Sequence, residues 1–423
     1  YLCLHIKVSY FYAKLNRYSC NICPGEVYPG QIMKSLRENE GDGKDRVGLL
    51  RENLITYGQS IIPEVFDNAC KFWGDSWKNV VESDAYKKDR PKKRGLPEKV
   101  VAEVGYLIDS AGRLNLKPHS KPLKWRIKPV DLKDIPEVVL FECCCGSSHY
   151  PGIGRSSEYI LDRMEIPYII SDKQSCCGGF AYYADDLNLE EVVLIGARNQ
   201  GLIEDNADVV VSVCASCFSS NSEVQNLLLN GENRSQINDI LSTTGTEVNG
   251  DLNIAHIEEL LCDNLDSLVE QIELNLSGLK VATHHGCHYR NFSSRLDKYE
   301  ILDKIVNAIG AEVVDYELKD RCCGGGFEKS FVGGIGNVRK INQKKQQNIA
   351  SNEADLVILD CPGCEMTFDR NCPELSKTQP LNLGYMHINE FLALAMGADP
   401  REVVGIQYHS VFPDSLLDKL GIE

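Results

Sequence analysis

Ten of the chain's 18 cysteines form one ordered set that occurs twice. The first set is Cys144, the pair Cys176 and Cys177, and Cys214-Ala-Ser-Cys217. The second is Cys287, the pair Cys322 and Cys323, and Cys361-Pro-Gly-Cys364. The groups are separated by 31 and 36 residues in the first set and by 34 and 37 in the second. Equivalent cysteines are offset by 143, 146 and 147 positions, so the chain carries an internal duplication of about 145 residues. Whatever this sequence folds into must bring three distant cysteine groups to one place, twice.

The intervening sequence says how. Each copy opens on an apolar run that leads to the first cysteine, Val138–Phe141 or Leu279–Thr283. A helix-period segment follows (Ser156–Met164 or Leu296–Ile309), then a second short apolar run (Pro167–Ile170 or Glu312–Tyr316) before the paired cysteines. A longer helical pattern comes next, Leu189–Ile203 or Gly336–Ala350. A third run, Asp208–Val213 or Asp355–Leu359, leads into CxxC, where a last helix begins. Continuous Val/Ile/Leu runs alternating with helical periodicity predict parallel strands with crossover helices. The expected class is α/β, with two duplicated Rossmann-like domains at 136–270 and 271–423. A mainly helical region at 1–90 and a polar, proline-bearing linker at 91–135 precede them. All three cysteine groups then follow strands, at the carboxyl edge where open α/β sheets build their sites. Glycines beside the paired cysteines, Gly178 and Gly324 foremost, allow the backbone to approach a bulky inorganic group.

Composition narrows the function. With 45 basic against 61 acidic residues the net charge is −16, which argues against a nucleic-acid binder or a polybasic membrane-surface protein. No run of 18 apolar residues appears, so no span of a membrane is expected. The first residues lack a signal-peptide layout. Eighteen cysteines in 423 residues fall well short of a disulfide scaffold. A cytoplasmic protein whose thiols bind metal or do redox work is the expected class.

Five thiols exceed the four ligands of a tetrahedral zinc site. The duplicated, ordered set favours iron–sulfur ligation over zinc with a spare thiol or over buried structural cysteines. The run Cys143-Cys144-Cys145 leaves open which cysteine takes part, and Cys143 and Cys145 stand as alternative or additional ligands. His284, His285 and His288 flank Cys287; they read either as core or capping histidines or as proton donors, with His285 and His288 the candidate catalytic residues. Cys20-Asn-Ile-Cys23-Pro24 matches only the end of a bacterial ferredoxin motif, so Cys20 and Cys23 are candidate ligands of an incomplete site. Cys70, Cys262 and Cys372 have no partner pattern and read as small apolar residues.

These motifs resemble a known family. Tyr150-Pro-Gly152, Ser175-Cys-Cys177, Ala197-Arg-Asn199, His284-His-Gly-Cys-His288, Cys322-Cys-Gly-Gly-Gly326 and Asp360-Cys-Pro-Gly-Cys364 are similar to the CCG domains of the B-type component of heterodisulfide reductase, as is the tail Ile388–Ala398. The spacing to Tyr150-Pro-Gly aligns Cys144 as the lone cysteine. The N-terminal part resembles the remnant of the ferredoxin domain found in that enzyme's C-type component; a helical docking region with no cluster of its own is the alternative. The resemblance implies a non-cubane 4Fe-4S cluster on each set of five cysteines; a shared cubane cluster at the N-terminal region is a further candidate, left open by its incomplete motif. It implies a catalytic protein that cleaves a disulfide between the two clusters, in that family the coenzyme M–coenzyme B heterodisulfide of methanogenesis. The alternative is an electron-transfer protein linking a flavin dehydrogenase to a quinone or cytochrome; a zinc-stabilised scaffold is a third reading. No dinucleotide fingerprint follows a strand, so electrons are expected from partners: flavin or ferredoxin-like iron–sulfur subunits, or a membrane cytochrome b that would hold the protein at the cytoplasmic face.

Overall fold

A computed structural model of the chain describes residues 48–64, 75–117, 130–133, 135–184, 186–325, 335–377 and 380–421. The candidate ligands Cys20 and Cys23 lie outside these residues, as does Cys70.

Two four-stranded, all-parallel sheets carry the fold. The first has β1 (Val138–Phe141), β2 (Tyr168–Ile169), β3 (Val209–Ser212) and β4 (Asn253–His256) in the order β2-β1-β3-β4. The second has β5 (Lys280–His284), β6 (Glu312–Val313), β7 (Leu356–Leu359) and β8 (Gly384–His387) in the order β6-β5-β7-β8. Registers repeat between the copies: Val139 pairs with Val210 as Val281 pairs with Leu356. The central strands β1, β3 and β7 are buried at every residue, as expected when helices cover both faces. In each sheet the chain leaves the first strand toward one side and returns to the other, so the switch point lies between β1 and β3, and between β5 and β7. The lone cysteine and the CxxC motif follow these two strands, in the crevice where such sheets bind ligands.

Local sequence explains the helices. Asn188 caps the helix Leu189–Glu204 through a capping box with Glu191. Cys214 and Cys361 are themselves N-cap residues in extended conformation, with Pro362 at the first helical position of the second copy. Three residues on, Cys217 and Cys364 lie in the first turn, on the same side of the helix as the cap.

Several elements differ from expectation. The 91–135 span, expected to be a linker, contains a 13-residue helix, Glu98–Ser110, whose buried Val100, Val104, Leu107 and Ile108 form a stripe packed on Leu189–Glu204. Buried Arg198 locks the two helices, its Nη2 2.6 Å from Glu103 Oε2. The segment Leu296–Ile309 is helical only over Ile301–Ala308; residues 296–300 form turns, beside which Arg295 and Asp297 pair at 3.0 Å. Strands β4 and β8 carry too few apolar residues to show a periodicity, and no feature of the sequence marks either.

The two halves interlock. The helix that starts at the first CxxC, Ala215–Leu228, packs on Cys287–Phe292, which carries the second domain's lone cysteine. Conversely, Pro362–Ser376 packs on Cys144–His149. Helix Gly152–Arg163 also packs on Ile388–Ala395, where Asn389 Nδ2 donates to Ser157 Oγ at 2.6 Å. Among the described residues no helix is long and apolar enough to cross a membrane.

Candidate metal centre

In the first set, Cys144 Sγ lies 3.3 Å from Cys176 Sγ, and Cys177 Sγ lies 3.3 Å from Cys217 Sγ. Cys143, Cys214 and Cys217 bring their sulfurs within 4.8 Å of one another. Both Cys143 and Cys144 therefore reach the site. Cys144 is the first residue of its short helix, as Cys287 is in the second copy, whereas Cys143 takes the N-cap place that Gly286 takes there. Cys287 pairs with Cys322, and Cys364 with both Cys323 and Cys361, so the second set repeats the contacts of the first. The sets meet across the domain interface, with Cys214 Sγ 3.9 Å from Cys361 Sγ.

Backbone amides line both sites. Gly178 N and Gly179 N donate to the Cys176 and Cys177 sulfurs at 3.4 and 3.3 Å. Gly324 N and Gly325 N do the same for Cys322 and Cys323, each at 3.3 Å. A Cβ at Gly325 would lie 2.0 Å from Thr367 Oγ1, and one at Gly179 would lie 3.1 Å from Ser216 O, so both cradles are closely packed around their glycines. The Ala197-Arg-Asn motif clamps the first paired-cysteine turn: Asn199 Oδ1 accepts from Ser175 N, and its Nδ2 donates to the Ser175 and Cys176 carbonyls. Asn342 Nδ2 does the corresponding work at the Cys323 carbonyl.

Crowding sets the charge state. Hydrogen bonds from the Cys214 and Cys217 thiols pull Cys143 down to about 5. Bonds from the Cys144 and Cys177 thiols hold Cys176 well below the usual thiol range, and those from Cys287 and Cys323 do so for Cys322. The neighbouring Cys144 and Cys287 are driven well above it, first by their ionised partners and then by burial. Buried sulfurs packed at 3.3 Å can thus ionise only alternately by themselves. A cationic inorganic centre lets them all ionise, and the donor set, burial and glycine cradles fit such a group.

The histidines divide. His284 joins Cys323 and Cys364, with ligand atoms within 4.8 Å. His285 turns its Nδ1 to Glu258 at 3.4 Å, and burial drives it down to about 4, so it is neutral near pH 7. His288 is half-buried at the interface, its ring 4.1 Å from that of Tyr183 and its Nδ1 3.2 Å from Ser219 Oγ. Cys145 and Cys372 are buried, and Cys262 is partly so.

Two further participants carry no sequence signal. Ser60 Oγ sits 3.2 Å from Cys176 Sγ, brought there because Gly58, in left-handed conformation, ends the helix Leu49–Tyr57 and accepts from Cys176 N. Lys345 is buried beside Cys322, Cys323 and Cys364, donates to the Lys319 and Arg321 carbonyls, and is lowered to about 7 by burial. A lone serine and one lysine in a basic helix belong to no motif that would mark them.

Both halves of the chain are similar to known proteins. The cysteine-rich CCG domain matches residues 138–220 and 281–369. The B-type component of the ferredoxin:CoB-CoM heterodisulfide reductase of Methanosarcina acetivorans is 30% identical over 311 residues, which cover 69% of this chain and 99% of that protein. The chain belongs to the heterodisulfide reductase B-type family. Its members include iron–sulfur oxidoreductase subunits that work in multi-subunit complexes. A protein of Archaeoglobus profundus, named as similar to the same B-type component, is 30% identical, covering 63% of this chain and 93% of that one. The 8-methylmenaquinol:fumarate reductase membrane anchor subunit of Wolinella succinogenes is 26% identical, covering 63% of this chain and 94% of that one. A solved structure of a hypothetical protein from Helicobacter pylori shares the fold at a TM-score of 0.50 and 16% identity, covering 74% of this chain and 59% of that one.

Proposed function

We propose that this heterodisulfide reductase homologue is the catalytic iron–sulfur subunit of its complex, reducing a disulfide to two thiols at the junction of its two cysteine sets. The 3.9 Å approach of Cys214 to Cys361 supports this reading, because it brings the two cysteine sets back to back across one interface. Cys144, Cys176, Cys177, Cys214 and Cys217 would hold one cluster, with Cys143 an additional donor; Cys287, Cys322, Cys323, Cys361 and Cys364 would hold the other. When bound, two non-cubane 4Fe-4S clusters would supply two electrons singly, which a disulfide requires. The balance is RSSR′ plus two electrons and two protons, giving RSH and R′SH. Glycine amides stabilise the thiolates, and Lys345 offsets charge at the second set. His288, with Ser219 and Tyr183 behind it (Tyr183 Oη lies 2.6 Å from Ser219 Oγ), would hand a proton to a departing thiolate. The substrate proposed is the coenzyme M–coenzyme B heterodisulfide, named in the relative from Methanosarcina. Electrons would come from a flavin or ferredoxin-like protein of the complex or from a membrane cytochrome b, the last placing the complex at the cytoplasmic face.

Anaerobically purified protein should contain about eight irons with matching sulfide on the two sets. Stoichiometric zinc in place of iron would remove the proposal. His288→Gln should lower viologen-driven disulfide reduction by about 10²-fold while leaving iron unchanged. Equal turnover in both proteins would take His288 out of the mechanism.

A further inference from the structure

We propose that His256, Glu258, His285 and Asp360 form a divalent-metal site, separate from the cysteine sets, that ties the first domain to the second. His256 ends β4 and Glu258 lies in the first turn of the helix after it. His285 follows β5, and Asp360 follows β7, immediately before Cys361. The four residues come from three chain segments and two domains.

One donor atom from each of His256, Glu258 and Asp360 lies within 4.8 Å of the others. His285 Nδ1 stands 3.4 Å from Glu258 Oε2 and 3.9 Å from Asp360 Oδ2. These separations exceed the roughly 2.7–3.2 Å of a hydrogen bond. They approach the ~3.3–3.4 Å between adjacent donors of a tetrahedral shell whose bonds are about 2.0–2.1 Å. His256, Glu258 and Asp360 are 0% exposed and His285 5%. Among the described residues, both His285 ring nitrogens and Asp360 Oδ2 lack a hydrogen-bond partner, while Glu258 and His256 have only loose ones, to Tyr289 and to the Asp360 backbone. Within the same residues neither carboxylate has a lysine or arginine at ion-pair distance. Buried polar atoms are almost always satisfied, and two uncompensated carboxylates in one dry pocket are costly. A divalent cation satisfies the donors and cancels the charge together.

The surroundings favour an ion over a simple network. Gly286 N holds Asp360 Oδ1 at 2.6 Å, which fixes the carboxylate and leaves Oδ2 facing the other donors. The group of Glu365, Glu390 and His409 differs, because one imidazole spans its two carboxylates, Nδ1 3.7 Å from Glu365 Oε1 and Nε2 3.4 Å from Glu390 Oε2. Two imidazoles and two carboxylates suit zinc among the first-row metals. An ion there would brace the end of β4 against the Asp360-Cys361 step, and so fix the distance between Cys214 and Cys361.

The buried donors require the metal to enter as the chain folds, so the test uses full-length protein made in zinc-supplemented medium and purified anaerobically without chelator. About one zinc per chain is expected beside the iron, with a zinc K-edge spectrum showing nitrogen and oxygen at about 2.0–2.1 Å and no sulfur shell. Glu258→Gln and His256→Gln should each lower bound zinc at least fivefold, while Glu365→Gln should not. Absence of zinc, a sulfur shell near ~2.3 Å, or full retention by both variants overturns the proposal. If the variants do not fold, the wild-type spectrum decides alone. Iron is counted in the same sample, so failure of the cluster assignment is read separately.

Discussion

Replacing Cys361 with alanine is expected to abolish disulfide reduction driven by reduced viologen dye and to remove about half of the bound iron. The residue is both a donor of the second set and the sulfur that faces Cys214 across the interface at 3.9 Å. It caps the helix Pro362–Ser376 in extended backbone, a conformation alanine also adopts, and its side chain makes no capping hydrogen bond. The substitution therefore removes a sulfur without removing the helix. The first set, with its own sheet and clamps, should keep its iron. Iron analysis and anaerobic turnover measured on one preparation separate the two effects. Turnover equal to wild type would defeat a mechanism that needs both sites, and would favour the electron-transfer alternative.

The largest effect on stability is expected at Gly152, where an added Cβ would lie 1.7 Å from the Val404 carbonyl oxygen and 2.6 Å from its carbon. Those atoms are backbone of the second domain, packed against the start of the helix Gly152–Arg163, and cannot swing aside as a side chain would. Gly152→Ala should cost about 3 kcal/mol, the upper end for overpacking, and push the two domains apart where they must meet. Gly154 is two residues along the same helix, with nothing within 4 Å of its Cβ position. Gly154→Ala should therefore gain about 0.5–1 kcal/mol from reduced backbone freedom. Denaturation of the two variants side by side tests the claim. Similar changes in both would mean that close backbone approach is not what holds the halves together.

Much of the fold is legible in local patterns. Val138–Phe141 and Val209–Ser212 are strands since fully buried parallel strands need unbroken apolar runs, and these are unbroken. The first-turn cysteines after each cap follow from CxxC at a helix start. The helix Glu98–Ser110 reads as linker because the polar, proline-bearing sequence around it masks its one apolar stripe; its order depends on packing against Leu189–Glu204 and on the Arg198–Glu103 pair, 95 residues apart in sequence. Likewise β4 and β8 are strands mainly because β3 and β7 offer them free edges to pair with.

The sequence by itself determined that five cysteines would converge twice, at the carboxyl ends of parallel strands, since spacing, strand runs and duplication are properties of one chain direction. Only the tertiary structure decided how the two sites relate. Each CxxC helix packs on the other domain's lone-cysteine helix, and Cys214 meets Cys361. It also decided that both Cys143 and Cys144 reach the first site, that Ser60 and Lys345 complete the surroundings of the sulfurs, and that His285 turns to Glu258 while His288 stays at the interface. These outcomes rest on contacts between segments tens to hundreds of residues apart. No periodicity or motif encodes them; they follow from shape and burial once both domains have folded against each other.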